Sequence, residues 1–322
     1  MSDQVDGLPG EDSLFLPLLE ELPAGHRSGF VAVVGQPNVG KSTLMNQMVG
    51  EKIAIVTPRP QTTRRRILGI LTQPDAQVIF IDTPGIHDPR DRLGQYMVDW
   101  AFEAIPDADL VLFLVDLSAP PNAKDREIAE ALAASRVPAL LVLNKADLVP
   151  SEAREARAAA YRALAGWKDS IILSLQDPAD IVRLKEMIVA RLPEGPRFYP
   201  EDQLSDQQER TIVAELIREQ ALLQLEDEIP HAIDVQVDEF KERENDVIYV
   251  SANVIVERDA HKGIVIGARG RMLKAIGAAA RPEIERFLGK RVYLELWVKV
   301  RPKWRRDEQL LKRWGYAPPR EK

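Results

Sequence analysis

The eight residues GQPNVGKS, Gly35 to Ser42, stand between an apolar run, FVAVVG, and a stretch with helical spacing, GKSTLMNQMVG. This matches the G-x-x-x-x-G-K-[ST] pattern, placed between strand and helix as it must be to work. Its glycines let backbone N–H groups turn inward around phosphates, and the helix N-terminus adds its dipole. Lys41 reaches the outer phosphates and the Ser42 hydroxyl is suited to Mg²⁺. Such a loop also fixes much of the fold. Further apolar runs, QVIFID, LVLFLVD, ALLVLN and SIILS, alternate with helical patterns such as KDREIAEALAAS. Runs buried on both faces and separated by helices imply an α/β domain with a mostly parallel, doubly wound sheet. Gly50 follows LMNQMV where a left-handed residue would end the first helix.

Asp82, in DTPG at the end of a strand pattern, is the expected carboxylate behind the metal, and the Gly85 N–H is placed to meet a γ-phosphate. NKAD, Asn144 to Asp147, closes another strand. An aspartate there pairs with guanine N1–H and the exocyclic amine, whereas adenine leaves it unpaired. These motifs in this order point to GTP rather than ATP. Ser174, after the next strand, is expected beside the base, with Leu175 where alanine is usual. Between loop and Asp82 lies TPRPQTTRRRILGI, where a threonine should close the metal shell and order the segment as a switch. Thr62 and Thr63 both qualify, and Thr63 is favoured. Arg64 to Arg66 read either as phosphate or RNA contacts or as a solvated loop. The nucleotide set is therefore Gly35, Asn38, Val39, Gly40, Lys41, Ser42, Thr43, Asp82, Gly85, Asn144, Lys145, Asp147 and Ser174, with Ser42, Thr63 and Asp82 at the metal.

The pattern changes after RLPEGPRFYPEDQLSD, a proline-bearing linker. A helix, two alternating strands, a helix and a strand follow, an α+β order. The charge changes as well. From Arg258 onward there are 18 Lys and Arg against 7 Asp and Glu, a balance of +11, so the remainder carries −18 within a net −7. That asymmetry fits a tail domain that meets nucleic acid or an anionic surface, or a solvated charged face. Gly267-Ala268-Arg269-Gly270 is a G-x-x-G loop opening a helix inside this basic segment. It lets a nucleic-acid backbone pack against the main chain while Arg269, Arg271 and Lys274 neutralise phosphates. A second nucleotide-phosphate loop is the other reading, but no Lys-Ser/Thr follows. Trp297 alternates within a strand and is expected in the core. Trp304 and Trp314 either stack bases or anchor a terminal helix.

The expected division is an acidic extension (1–28), a nucleotide domain (29–197), a linker (198–205) and an RNA-binding domain with a basic tail (206–322). There are no cysteines, so disulfides and thiolate metal sites are excluded, in keeping with a cytoplasmic protein. No apolar run approaches the roughly 18 residues that span a bilayer, and the acidic N-terminus lacks the basic region of a secretory signal.

GQPNVGKSTLMNQ, PQTTRRRILGI, DTPGIH, NKAD, VIGARGRMLKAIG and LELWVKV followed by LKRWGY together resemble the Era family of bacterial ribosome-assembly GTPases, from about Ser28 to Tyr316. The resemblance implies one GTPase domain followed by a type II KH domain. It also implies GTP/GDP with Mg²⁺, binding to the 3′ end of 16S ribosomal RNA during maturation of the 30S subunit, and peripheral contact with the inner membrane face. A monomer is expected. Ile86 stands where Ras-like enzymes carry a water-orienting glutamine. In related GTPases without that glutamine, an asparagine in the loop helps hold K⁺ against the phosphates. This makes Asn38 a candidate catalytic residue beside Lys41 and Thr63, and implies slow, cation-dependent hydrolysis. Two other functions fit the same motifs: an RNA-binding assembly factor with structural GTP, and a membrane-associated signalling GTPase. Pro282, inside AIGAAARPEIERFLG, predicts a kink or break near Arg281.

Overall fold

The computed structural model describes residues 22–317, so the first 21 residues of the acidic extension and the last five of the basic tail lie outside it. The first domain runs β1 (Arg27–Val34), α1 (Lys41–Val49), β2 (Ile67–Thr72), β3 (Ala76–Asp82), α2 (Arg92–Glu103), β4 (Leu110–Asp116), α3 (Ala123–Ala134), β5 (Ala139–Asn144), α4 (Ser151–Arg162), β6 (Asp169–Ile172) and α5 (Pro178–Val189). The strand order is β2-β3-β1-β4-β5-β6. All pairs are parallel except β2 with β3. Alternate residues of each strand feed two separate cores. Ala32, Val34, Ile79, Ile81 and Phe113 face one side, and Val31, Val33, Val78, Phe80 and Leu112 the other. Strand β1 lies between β3 and β4, so the chain leaves its end at the point where strand order reverses, where α/β sheets bind ligands. Gly50 ends α1 in the left-handed conformation, φ 83°.

Strand β2 is an addition to the apolar runs named in the sequence. It is short, follows the arginine run, and pairs antiparallel at the sheet edge. Residues 198–205 cover that edge. The Ile70 N–H donates to the Leu204 carbonyl at 2.8 Å, and the Ser205 hydroxyl to the Leu68 carbonyl at 2.7 Å. An edge paired in this way is closed to foreign strands.

The second domain runs α6 (Glu209–Gln224), β7 (Asp234–Arg243), β8 (Val247–Val256), α7 (Asp259–Ile266), α8 (Arg271–Leu288), β9 (Arg291–Val300) and α9 (Glu308–Arg313). Its sheet has the order β7-β8-β9, with β8 parallel to β9 and antiparallel to β7. Helix α7, just before the G-x-x-G loop, is an addition to the expected order.

Two expectations are corrected. Of the kink or break expected near Arg281 the break is absent: α8 is continuous from Arg271 to Leu288 with Pro282 inside it. Pro282 and Ala278 are both exposed, so water can take the carbonyl that loses its partner. A proline inside a helix costs about 3 kcal/mol, whereas the buried Ile276 and Ile284 of the same helix together contribute about 3–6 kcal/mol. Packing wins. Trp297 is not in the core but 56 % exposed. Val292 and Val298 of β9 are buried on the inner face, while Arg291, Tyr293, Glu295, Trp297 and Lys299 share the outer one by alternation.

Candidate functional site

A cleft of about 580 Å³ lies at the end of β1, lined among others by Asn38, Gly40, Lys41, Ser42, Thr43, Thr63, Gly85, Asn144, Lys145, Asp147 and Ser174. Gly35 closes the strand just behind it; Val39 is buried beneath the loop, and its carbonyl serves a structural bond described below. Gly40 adopts φ 109°, and a Cβ there would lie 2.6 Å from the Asn144 amide nitrogen. Only glycine fits.

At the loop's helix end, three oxygen-bearing side chains converge. The Ser42 hydroxyl lies 2.7 Å from Asp82 Oδ2 and 2.8 Å from Thr63 Oγ1, and Thr63 Oγ1 lies 3.4 Å from the same carboxylate oxygen. Asp82 is fully buried and its Oδ1 has no hydrogen-bond partner. Burial pushes its pKa up to about 6, against the opposing effects of Lys41 and the two hydroxyls. A buried carboxylate with a free oxygen, fronted by two hydroxyls, fits a hard divalent cation such as Mg²⁺. Of the two candidate threonines, Thr63 reaches this cluster. Thr62 instead donates to the Arg59 carbonyl and shares a 2.7 Å bond with Thr57.

Lys41 Nζ donates to the carbonyls of Gln36 at 2.8 Å and Gly35 at 3.2 Å. Burial lowers its pKa to about 8, with Asp82 acting in the opposite direction. Asn38 is exposed at the lip, and its amide donates to the Pro58 carbonyl of the switch segment at 3.0 Å. Ile86 points away from the cleft into the core with Ala32 and Val34, and its N–H donates to the Gly35 carbonyl at 3.1 Å. Its role here is to fix the DTPG segment to the loop.

At the far end, Asn144 ties the parts together. Its amide donates to the Val39 carbonyl at 2.8 Å and accepts from the Leu175 N–H at 3.2 Å. Lys145, at φ 64°, pairs with Asp116 at 2.7 Å. The Ser174 hydroxyl donates to Asp147 Oδ1 at 2.6 Å, orienting a carboxylate at the cleft mouth. Leu175 is buried, its backbone N–H held by Asn144 and its side chain packed beside Gly40.

The arginine run is neither a phosphate contact nor a solvated loop. Arg64 is buried and donates to the carbonyls of Ile233, Pro230 and His231 in the second domain. Arg65 lies 4.4 Å over the Tyr316 ring, and Arg66 pairs with Asp107 at 3.6 Å. Helix α2, after DTPG, also meets the second domain: Leu93, Tyr96 and Met97 pack with Ile255, Trp304, Leu311 and Tyr316. Trp304 is fully buried, with Trp314 against it at 5.5 Å, so these rings anchor the C-terminal segment. Arg218 and Glu219 of α6 also touch the switch segment. Their one signal in the sequence is a pair of charges flanked by Leu216, Ile217 and Ala221 on a helix whose apolar residues pack into the core.

On the second domain, Gly267 (φ 69°) and Gly270 (φ 78°) turn the chain between α7 and α8. A Cβ on Gly267 would lie 2.8 Å from Met272 Cβ. Ala268, Arg269, Arg271 and Lys274 are exposed at this turn. Among the described residues no helix is long and apolar enough to cross a membrane.

A family model described as 50S ribosome-binding GTPase matches residues 30–145, and one described as KH domain matches residues 228–305. GTPase Era of Ruminiclostridium cellulolyticum is 49% identical over 293 residues, covering 90% of this chain and 98% of that one. GTPase Era of Geobacter metallireducens is 48% identical over 292 residues, with 90% and 98% covered. Among solved structures, Era in complex with MgGDPNP and nucleotides 1506–1542 of 16S ribosomal RNA superposes with a TM-score of 0.88 at 38% identity, covering 91% of this chain and all of that one. A variant of Aquifex aeolicus Era bound to GDP and AlF4⁻ gives 0.87 at 37% identity, with the same coverage. By sequence along nearly its whole length and by the joining of these two domains, the chain belongs to the Era family of GTPases.

Proposed function

We propose that this protein is a GTP-driven switch that binds the 3′ end of 16S ribosomal RNA through its KH domain and assists maturation of the 30S subunit in the cytoplasm. The observation that carries the nucleotide half is the convergence of Ser42, Thr63 and Asp82 beside the phosphate loop. Ser42 and Thr63 would hold Mg²⁺ with Asp82 behind them, and the ion would supply charge neutralisation to the phosphates. Lys41 neutralises the same phosphates, and the Gly85 N–H meets the γ-phosphate. Asp147, held by Ser174, accepts both guanine donors. Thr63, already beside Ser42 and Asp82, is the hydroxyl that would close the site around a γ-phosphate, and its neighbours Arg64 and Arg65 reach the second domain, so the state of the nucleotide would be felt there.

The exposed Gly267–Gly270 turn with Arg269, Arg271 and Lys274 is the proposed RNA contact. A relative's complex with a 16S fragment supports the small subunit as the partner. RNA affinity measured on the full chain, loaded with GTP analogue and with GDP, tests the reading. A difference of at least about tenfold is expected for a switch; equal affinities would leave only an RNA-binding factor with structural GTP.

A further inference from the structure

Arg218, in the first helix of the KH domain, is fully buried although it carries a charge. Its Nε donates to Glu215 Oε1 at 3.1 Å, and its Nη2 donates both to Glu215 Oε2 and to the Thr62 carbonyl. That carbonyl belongs to the peptide joining Thr62 to Thr63. Since the peptide is planar, holding its oxygen also orients the N and Cα of Thr63. On the other side of Thr63, Arg64 is anchored to three carbonyls of the second domain, the nearest, that of Ile233, at 2.5 Å. Upstream, Glu219 accepts the Val56 N–H at 3.0 Å. Thr63 is thus gripped before and behind by the KH domain, while its own hydroxyl faces Ser42 at 2.8 Å.

We infer that Arg218 is a positioning residue for the GTPase site: it aims the Thr63 hydroxyl, so the KH domain completes the nucleotide site of the domain before it. This rests on the reading of Thr63 as the hydroxyl that closes the site around a γ-phosphate. The planar guanidinium suits the task, because one fork takes the carboxylate that holds it and the carbonyl that it holds. An inert strut between domains would look alike in a static view but behaves differently: its loss affects GDP and GTP states equally. A positioning role touches only the state that uses Thr63.

The test uses the full chain with Arg218→Met, Arg218→Lys, Glu215→Gln and Thr63→Ala, and the double variant Arg218→Met/Thr63→Ala. Affinities for GDP and a non-hydrolysable GTP analogue are measured across a Mg²⁺ titration, with kcat and KM alongside. Arg218→Met is expected to keep GDP affinity within about twofold and to cut the Mg²⁺-dependent preference for the GTP analogue by about 10–100-fold, the range seen when a ligand's supporting partner is lost. Arg218→Lys restores part of it. In the Thr63→Ala background, Arg218→Met adds less than about twofold, because both changes remove one interaction. Undiminished preference for the GTP analogue in Arg218→Met overturns the inference, as do an equal loss for GDP and full multiplication of the two effects. Should Arg218→Met not fold, Glu215→Gln carries the test, with a smaller loss in the same direction expected and no loss overturning it. If Thr63→Ala itself leaves the preference intact, the reading of Thr63 fails and takes the inference with it. If Thr63→Ala abolishes the preference and Arg218→Met does not, the inference fails alone.

Discussion

The Ser42 hydroxyl meets Asp82 Oδ2 at 2.7 Å across forty residues of sequence, leaving the second carboxylate oxygen buried and without a partner. This pairing aims Ser42 without using the whole capacity of Asp82. An amide at position 82 keeps the shape but halves the oxygen set and removes the charge. Asp82→Asn is therefore expected to raise the Mg²⁺ concentration needed for half-maximal GTP-analogue binding by about 10–100-fold. Fluorescence titration with Mg²⁺ at fixed nucleotide checks this, and an unchanged midpoint would remove Asp82 from the metal site.

Lys41 gives a pH dependence whose sign is fixed. In the free protein, burial holds its pKa down at about 8. A bound polyphosphate favours the ammonium and raises the pKa, so the complex binds more protons than its free components above that pH. Nucleotide affinity must then fall as pH rises through about 8, by up to tenfold per unit. Calorimetry of GDP binding near pH 8.5, in two buffers of different ionisation enthalpy, should show proton uptake. Lys41→Met should abolish both the uptake and the slope.

The residues that the sequence places at strand ends for a ligand's sake, the phosphate loop, Asp82 and Asp147, are those that the fold brings to one cleft. Phosphate and guanine impose the same chemistry on any chain that folds this way, so the residues themselves announce it. Arg64 shows the opposite case. Its partners are backbone carbonyls near residue 231, which any sequence would present, so no local pattern reveals that it is buried. Ile86 was legible as a missing glutamine but not as a core residue, because one apolar position in a loop has no period. Trp297 carries a legible signal for the outer face. Its strand alternates Arg291, Tyr293, Glu295, Trp297 and Lys299 against aliphatic residues, and the company of charges marks the outer face.

Asp147 is oriented by a 2.6 Å bond from Ser174. With an amide in its place, one acceptor becomes a donor, which clashes with the guanine amine and matches the xanthine carbonyl. Asp147→Asn should weaken GTP relative to xanthosine triphosphate by at least about a hundredfold. Competition between the two nucleotides measures it, and retained guanine preference would mean that another residue reads the base.

Asn38 sits at the exposed lip with its amide nitrogen engaged by the Pro58 carbonyl. This leaves its amide oxygen free to bind a monovalent cation against the phosphates, where added positive charge would stabilise the transition state. Hydrolysis is expected to be faster in K⁺ than in Na⁺ by at least about tenfold, with Asn38→Ala removing the difference. Turnover at matched ionic strength in the two salts decides it. Equal rates, or K⁺ stimulation that survives the substitution, would rule out the assignment.

At the G-x-x-G turn, the exposed Arg269, Arg271 and Lys274 predict how RNA affinity depends on salt. Each cation paired with a phosphate displaces condensed counterions, contributing about 0.7 to the logarithmic slope for a single strand. Replacing all three with alanine should reduce the slope by about 2 and weaken binding uniformly across sequences. Gly267→Ala acts by another route. Its φ of 69° and the 2.8 Å approach to Met272 force the turn to move, so affinity should fall while the salt slope stays nearly unchanged. Filter binding of a single-stranded RNA from 50 to 400 mM KCl separates the two effects. A Gly267→Ala variant whose slope fell with its affinity would show that the glycine serves the charges and not the close approach of the backbone.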